Sequence, residues 1–179
     1  MGYKFFTDIC CDLPLSYIEQ HNLTVMPFPT TIEGREYQIT ADPNDPNAID
    51  AHTFYDKLRA GIPAMTAQLN YDVCKRAFEA ALRDGQDVLY LAFTSGLSGS
   101  YGVGCLVRDE LIEQYPERRI VVVDSLSASL GQGLLVHMAL KKMREGLSID
   151  QVAEFCEQSR QKVHHWVVVD DLMHLRRGG

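Results

Sequence analysis

The chain has 179 residues, of which 46% are hydrophobic, and a net charge of −7 at neutral pH; these values suit one globular domain with a sizeable core, or one domain with part of a second. No run of Lys and Arg is longer than two residues, which argues against nucleic-acid binding and leaves local donors to hold any bound anion. No apolar run approaches the roughly 18–20 residues of a membrane span, and the N-terminal stretch lacks the features of a signal peptide, so we expect a cytoplasmic protein.

The first 60 residues predict short elements separated by loops. Pro14 stands where a helix can begin, Asp50 can cap a helix, and Pro43 and Pro46 mark an irregular loop. The pattern predicts strands at 3–7 and 24–28, a helical turn at 14–20, a hairpin at 32–37 and a helix at 51–60.

From about residue 70 onward, apolar strands alternate with longer helices. Asn70 can cap a helix that Gly85 ends, and Pro116 ends a later helix. Strands that are apolar on both faces are typical of a parallel sheet, so we expect an α/β fold with a mainly parallel sheet flanked by helices. The predicted helices are 71–82, 98–115, 129–144 and 148–162, and the predicted strands are 88–93, 120–123 and 166–169.

Polar side chains follow the predicted strands, at the edge of the sheet where α/β proteins bind ligands. The central strand leads into residues 93–104, FTSGLSGSYGVG, which are rich in glycine and hydroxyl groups and carry no charge. Glycines let the backbone approach a ligand, and hydroxyls and helix N–H groups donate hydrogen bonds, so this stretch predicts an anion-binding cradle. The candidate polar residues at this edge are Asp8, Thr66, Thr94, Ser95, Asp124, Ser125 and Asp170.

Nucleotide motifs do not fit this stretch. A P-loop requires a lysine after its glycines, yet the nearest basic residue is Arg108. The pairs Gly102-x-Gly104 and Gly131-x-Gly133 both lack the third glycine of a dinucleotide fingerprint. The sequence therefore disfavours ATP and dinucleotide binding.

Catalytic and metal-binding motifs are also weak. Residues 96–100, GLSGS, have serine where the esterase motif GxSxG requires glycine, so we interpret Ser98 as the cap of the following helix. His164 and His165 are adjacent, and no carboxylate stands at metal-ligand spacing from them. We expect no metal site and no catalytic residue in this chain.

Five segments resemble the motifs of the DegV family of bacterial fatty-acid-binding proteins. The family's motifs are T-D-S-x-x-D-L-P, T-S-Q-P-S, S-S-x-L-S-G-T-Y, V-x-D-S and D-L-x-x-L-x-x-G-G-R-I. The corresponding segments here are TDICCDLP (7–14), TAQLN (66–70), TSGLSGSY (94–101), VVDS (122–125) and DLMHLRRGG (171–179). They occur in the family's order and extend over the whole chain, so the chain is identified as a member of the family.

The resemblance implies a carrier that binds a long-chain fatty acid and uses no cofactor. The acyl tail would lie in an apolar tunnel, and the carboxylate would be held by the hydroxyls of Thr66 and Ser95. The carrier would present the fatty acid to a separate ATP-dependent kinase that forms an acyl phosphate, and it would exchange lipid through transient membrane contact. The motif positions expected to support this site are Asp8, Gln68, Gly96, Ser98, Gly99, Ser125 and Arg177.

The chain departs from the family's pattern in two ways. Ile9 and Ala67 replace serines, which predicts fewer hydrogen bonds behind the carboxylate. Family members usually continue into a second domain that helps to enclose the acyl chain. We therefore expect residues 1–170 to form the lipid-binding domain and 171–179 to begin the connection to a second domain that is absent, with weaker lipid binding and an exposed apolar surface.

Two other functions stay open from the residues. A small-molecule hydrolase or transferase could use Ser95 or Ser98 as its nucleophile, or Asp8 and Asp124 as acid and base. A sugar- or dihydroxyacetone-handling protein of similar α/β shape is a weaker hypothesis. The carrier is favoured over the enzyme because the histidines lie outside the strand-end motifs, where a base for serine would be expected.

Overall fold

The strands of this chain form one parallel sheet and one antiparallel sheet. The computed structural model describes residues 2–168 and Leu172, and no helix among them has the length and apolar character of a membrane span. The strands are β1 (Tyr3–Asp8), β2 (Thr24–Met26), β3 (Phe28–Ile32), β4 (Arg35–Ile39), β5 (Ala64–Thr66), β6 (Asp87–Ala92) and β7 (Ile120–Asp124). The helices are α1 (Leu15–Gln20), α2 (Ala51–Arg59), α3 (Tyr71–Arg83), α4 (Ser100–Gln114), α5 (Ser129–Arg144) and α6 (Ile149–Ser159), with 3₁₀ turns at Ile9–Cys11 and Arg160–Lys162.

The main sheet has four parallel strands in the order β2-β1-β6-β7. Strand β6 shows why its sequence lacks polar alternation. Val88 and Tyr90 pack on the side covered by α3 and α4, whereas Leu89 and Leu91 pack on the side covered by α1, α5 and α6. All four side chains are fully buried. The expected α/β fold with a mainly parallel sheet is confirmed.

A second sheet, antiparallel and three-stranded, has the order β4-β3-β5. Glu33 and Gly34 form the turn between β3 and β4 with positive φ angles of 52° and 77°, as a tight two-residue hairpin requires. The prediction of one strand over 24–28 is wrong, because β2 ends at Met26 and Phe28 already begins β3. Strand β5 was missed because three residues are too few to show an alternating pattern.

The helix caps predicted from the sequence are confirmed for α2 and α3. Asp50 Oδ1 accepts a hydrogen bond from the Thr53 N–H at 3.0 Å. Asn70 Oδ1 accepts from the N–H groups of Asp72 and Val73 at 2.9 and 3.2 Å. Helix α5 has the predicted bounds.

Two predictions about element ends are wrong. Helix α4 has Gly99 as its N-cap, because the hydroxyl of Ser98 bonds instead to the N–H and the hydroxyl of Ser100. Residues 166–168 of the predicted strand 166–169 form no strand: their side chains are exposed, and no strand of the described residues pairs with them. Val169 and, apart from Leu172, the segment 171–179 lie outside the described residues.

Of the two glycines near the start of α4, Gly104 lies close against the sheet and Gly102 does not. A Cβ on Gly104 would lie 2.8 Å from the buried Tyr90 ring, whereas nothing lies within 4 Å of one on Gly102. We expect Gly104→Ala to lower the free energy of unfolding by about 1–3 kcal/mol through overpacking. Gly102→Ala should raise it by about 0.5–1 kcal/mol, because alanine favours the helix. Urea unfolding of both variants measures these effects, and equal changes would contradict the packing.

Candidate functional site

A buried carboxylate organises the carboxyl edge of the parallel sheet. Asp8, the last residue of β1, is fully buried and accepts four hydrogen bonds. Its Oδ2 accepts from the Tyr90 hydroxyl and the Phe93 N–H, both at 2.8 Å. Its Oδ1 accepts from Gln132 Nε2 at 3.1 Å and from the Cys10 N–H at 3.2 Å. Asp8 therefore positions the loop after β6 and ties it to β1 and α5.

Gln132 of α5 belongs to the same network, although no motif in the sequence predicts it. Its side chain is fully buried, and Nε2 donates to both Thr7 Oγ1 and Asp8 Oδ1 at 3.1 Å. Thr7 Oγ1 in turn donates to the Leu91 carbonyl at 3.0 Å. The available signal was a long polar residue between two glycines on the buried face of a helix.

The protonation of Asp8 should make stability depend on pH. Burial raises the pKa of Asp8 above its ordinary value of 3.8, although its hydrogen-bond donors oppose the shift. The folded chain then keeps this proton where the unfolded chain has released it, so Asp8 lowers the free energy of unfolding as the pH rises from about 4 through its folded pKa. We expect the stability of the wild type relative to Asp8→Asn to fall over this window. Urea unfolding of both proteins across the window tests the sign, and a difference that grows with pH would contradict it.

The loop after β6 is held in a tight turn by its own hydroxyl groups. Thr94 Oγ1 accepts a hydrogen bond from the Gly96 N–H at 3.2 Å. Ser98 Oγ lies 2.8 Å from Ser100 Oγ and also accepts the Ser100 N–H at 3.2 Å. These bonds fix the turn that leads into α4.

The segment that carries Thr66 packs against this turn. The Leu69 N–H donates to Ser100 Oγ at 2.9 Å, and a Cβ on Gly99 would overlap the Gln68 side chain. Thr66 itself is exposed at the end of β5, three residues before Leu69. Gly99 therefore permits a close approach between the Thr66 segment and the loop after β6.

Asp124, at the end of β7, connects the loop after β6 with the loop after β7. Its Oδ1 accepts from the N–H groups of Ser95 and Leu126 at 3.1 and 3.0 Å. Leu126 has a φ of 50°, a left-handed conformation that is uncommon for leucine. The Ser95 hydroxyl is exposed and makes no hydrogen bond within the described part of the chain. It is available to a ligand.

Ser125 and Ser127 lie in the loop after β7, and both are buried. Ser125 Oγ donates to the Ser127 carbonyl at 3.1 Å and accepts the Ser127 N–H at 3.2 Å. The Thr94 N–H donates to the same carbonyl at 3.2 Å. The loops after β6 and β7 are thus joined at a second point.

A cleft of about 870 Å³ opens beside these two loops. The loops after β6 and β7, the first turns of α5 and residues 163–168 form its walls. Among the described residues that line it, no lysine, arginine, aspartate or glutamate is present. Four lining leucines expose large parts of their side chains to solvent: Leu97, Leu126, Leu130 and Leu134. The cleft is therefore apolar with a rim of hydroxyl groups.

The structure places most of the predicted site residues at this edge of the sheet, but only some of them line the cleft. Thr94 and Gly96 line the cleft, and Ser95 stands between them in the turn. Thr66 does not line the cleft, while Asp8 and Ser125 are buried. The remaining predicted residues are Gln68, Ser98 and Gly99 around the start of α4, and Asp170 and Arg177, which lie outside the described residues.

The two adjacent histidines lie nearer to the site than the sequence indicated. His164 and His165 line the cleft, and the His165 ring packs onto Gly131 so closely that a Cβ there would overlap it. Within the described residues, neither histidine is hydrogen bonded to Ser95 or Ser98, and no three metal-ligating side chains are grouped together.

Comparison with known proteins agrees with the fold. The model of the DegV family, described as "Uncharacterised protein, DegV family", matches residues 3–179. A DegV domain-containing protein of Clostridium perfringens is 38% identical over 177 residues, which are 99% of this chain and 60% of that protein. The chain thus spans about 60% of the length of this curated relative.

Solved structures resemble the chain over the same extent. A fatty acid binding DegV family protein from Streptococcus agalactiae has a TM-score of 0.83 and 28% identity, covering 100% of this chain and 60% of its own. A DegV family protein from Thermus thermophilus, also described by its fatty acid binding, has a TM-score of 0.80 and 29% identity, covering 99% of this chain and 60% of its own.

Proposed function

The chain belongs to the DegV family, and we propose that it binds a long-chain fatty acid, with the acyl tail in the cleft and the carboxylate held by the hydroxyls of Thr66 and Ser95. The observation that carries this proposal is an apolar cleft beside the hydroxyl-rich loop after β6. Neither that loop nor the described lining of the cleft contains lysine or arginine. The similar structures described as fatty-acid-binding proteins support it.

The acyl tail supplies most of the binding energy in this proposal. Each buried CH₂ group contributes about 0.8 kcal/mol, so even a partly covered chain of many carbons gains several kcal/mol. The leucines that line the cleft offer such a surface. Leu97 and Leu126 lie in the loops that Asp124 and Ser125 hold in place, and the other two lie in α5.

Neutral donors suit a carboxylate at the mouth of an apolar site. A lysine buried there would pay a desolvation penalty whenever the site is empty, whereas a hydroxyl loses far less on burial. Ser95 presents a hydroxyl free of other bonds within the described residues, and Gln68 packs on Gly99 to hold the Thr66 segment beside the loop. A single anionic head group is the ligand that this chemistry favours.

On this view the protein is a cytoplasmic carrier without a catalytic group of its own. The carboxylate would be presented at the edge of the sheet to an ATP-dependent kinase, which would form the acyl phosphate, and lipid would be exchanged by transient membrane contact. Within the described residues neither His164 nor His165 is hydrogen bonded to Ser95 or Ser98, which supports a carrier over a hydrolase.

Native mass spectrometry of the purified chain tests the proposal. We expect a bound species whose extracted ligand is a long-chain fatty acid, and we expect the delipidated chain to take up added palmitate but not an added sugar phosphate. A chain that carries no lipid and takes up no palmitate would overturn the proposal. Hydrolysis of a small ester that disappears in Ser95→Ala would favour the enzyme instead.

A further inference from the structure

One side of the cleft carries two titratable side chains. His164 and His165 line it, and the described lining holds no lysine, arginine, aspartate or glutamate. The His165 ring packs onto Gly131 in the first turn of α5, so closely that a Cβ on this glycine would overlap it. The three atoms that such a Cβ would meet first all belong to that ring. Gly131 therefore leaves the space that the His165 imidazole fills.

His165 borders the same cleft as the loop that carries Ser95. Thr94 and Gly96, the two neighbours of Ser95 in the chain, line the cleft together with His165. The Thr94 N–H donates to the Ser127 carbonyl at 3.2 Å, which ties this loop to the residues that lead into α5. A carboxylate held at Ser95 would therefore share the cleft with the imidazole.

The charged side chains on the segments next to the cleft do not line it. Residues 129–136, the first two turns of α5, contain no titratable side chain, and Ser129 in the first turn donates its hydroxyl to the Asp12 carboxylate. Asp124 accepts two backbone N–H groups, and Arg160 donates to the Asp124 carbonyl at 2.9 Å. Within the described lining, the two imidazoles are thus the groups that can carry a charge.

An imidazole can supply positive charge when a ligand is present and give it up when the cleft is empty. It gains or loses a proton between about pH 5 and 8, and a neighbouring carboxylate favours its protonated form. The hydroxyls of Thr66 and Ser95 would donate hydrogen bonds to the head group but would not balance its charge. A ring that takes a proton from the solvent as the carboxylate arrives would balance that charge without leaving a permanent cation beside the apolar surface.

We propose that His165 is a further head-group residue, whose imidazole takes up a proton when the fatty acid binds and so couples lipid affinity to pH. This inference rests on the proposed function. Affinity rises as the pH falls, because the protonated ring is the form that attracts the carboxylate. Gly131 is a positioning residue, which admits the ring to the start of α5.

Calorimetric titration of the delipidated wild type and His165→Gln with palmitate tests the inference. The ratio of wild-type to variant affinity should be about fivefold larger at about pH 6 than at about pH 8.5. This ratio removes the titration of palmitate itself, which is the same for both proteins. For hexadecanol, which has the same tail and a neutral head group, the ratio should not change with pH. His52→Gln, on exposed α2, is the matched control and should follow the wild type at both pH values.

A second variant displaces the ring without removing it. Gly131→Ala fills the space of the His165 imidazole, so it should lose the same pH-dependent part of palmitate affinity as His165→Gln. Gly102→Ala adds the same methyl group to α4, where nothing lies within 4 Å of it, and should keep the wild-type dependence.

The outcomes separate this inference from the proposed function. Wild-type pH dependence retained in His165→Gln or in Gly131→Ala would overturn the inference, and so would its loss in His164→Gln alone. An equal dependence for hexadecanol would overturn it as well, because the ring would then respond to something other than the head-group charge. In each of these cases palmitate still binds and the proposed function stands. A wild-type chain that binds no palmitate at either pH would overturn both.

Discussion

Replacing Asp8 by alanine should lower the free energy of unfolding by about 3 kcal/mol and weaken palmitate binding. The change removes the acceptor of four hydrogen bonds. It leaves the buried Tyr90 hydroxyl without its acceptor, and Gln132 Nε2 keeps only its bond to Thr7 Oγ1. Each buried donor without a partner costs about 1–3 kcal/mol, and relief from burying the carboxyl group offsets part of that sum. Binding should weaken because the Phe93 N–H loses its hydrogen-bond acceptor on β1. The loop that carries Ser95 then loses its attachment to that strand.

Urea unfolding and palmitate titration measure the two effects. Asp56→Ala is the control, because Asp56 is exposed and, within the described part of the chain, its one ion pair is with Arg59 on the surface of α2. It should change stability by no more than about 0.5 kcal/mol. Asp8→Asn keeps one acceptor oxygen, so its loss of stability should lie between those of Asp8→Ala and the control. An Asp8→Ala chain within about 0.5 kcal/mol of the wild type would show that the network does not hold the loop.

The sequence could predict Asp8 at the sheet edge but not what it does there. A carboxylate after an apolar strand indicates the ligand edge in any parallel sheet. Its role as a buried acceptor depends on Tyr90 and Gln132, which come from β6 and α5 and are distant in sequence. Burial, which decides the direction of the Asp8 pKa, is likewise a property of the assembled fold.

Two further departures from the family's T-S-Q-P-S motif, Leu69 and Asn70, have structural reasons, of which the sequence indicated only the helix cap at Asn70. Leu69 is buried in the core, and Asn70 caps α3 with its side-chain oxygen. In this chain both positions support the fold around the site, so their chemistry says little about the ligand. Ile9 similarly packs against the apolar core on the α3 and α4 side of the sheet.

Helices and strands were predictable where the hydrophobic pattern extended over many residues, whereas the loop conformations were not. The buried strand β6 and the helix α5 each extend over enough residues for a periodic pattern to show. The cleft depends on loop conformations, such as the left-handed Leu126, that no local pattern specifies. The apolar run at 166–168 resembled a strand because sequence shows hydrophobicity but not whether a neighbouring strand is present.

Removing both proposed carboxylate ligands should have the largest effect on binding. The double variant Thr66→Ala/Ser95→Ala should bind palmitate at least about 100-fold more weakly, since each hydrogen bond to a charged group contributes about 1.5–3 kcal/mol. Each single variant should lose about 10-fold or more. The free energy of unfolding should change by no more than about 0.5 kcal/mol, because both side chains are exposed.

A matched double variant and a neutral ligand make this prediction specific. Ser16→Ala/Thr24→Ala removes the same two hydroxyl types from α1 and β2, outside the proposed site, and should bind palmitate normally. Hexadecanol should lose less affinity than palmitate in Thr66→Ala/Ser95→Ala, because its head group carries no charge for the missing donors to stabilise. If the double variant binds palmitate as tightly as the wild type, the carboxylate lies elsewhere.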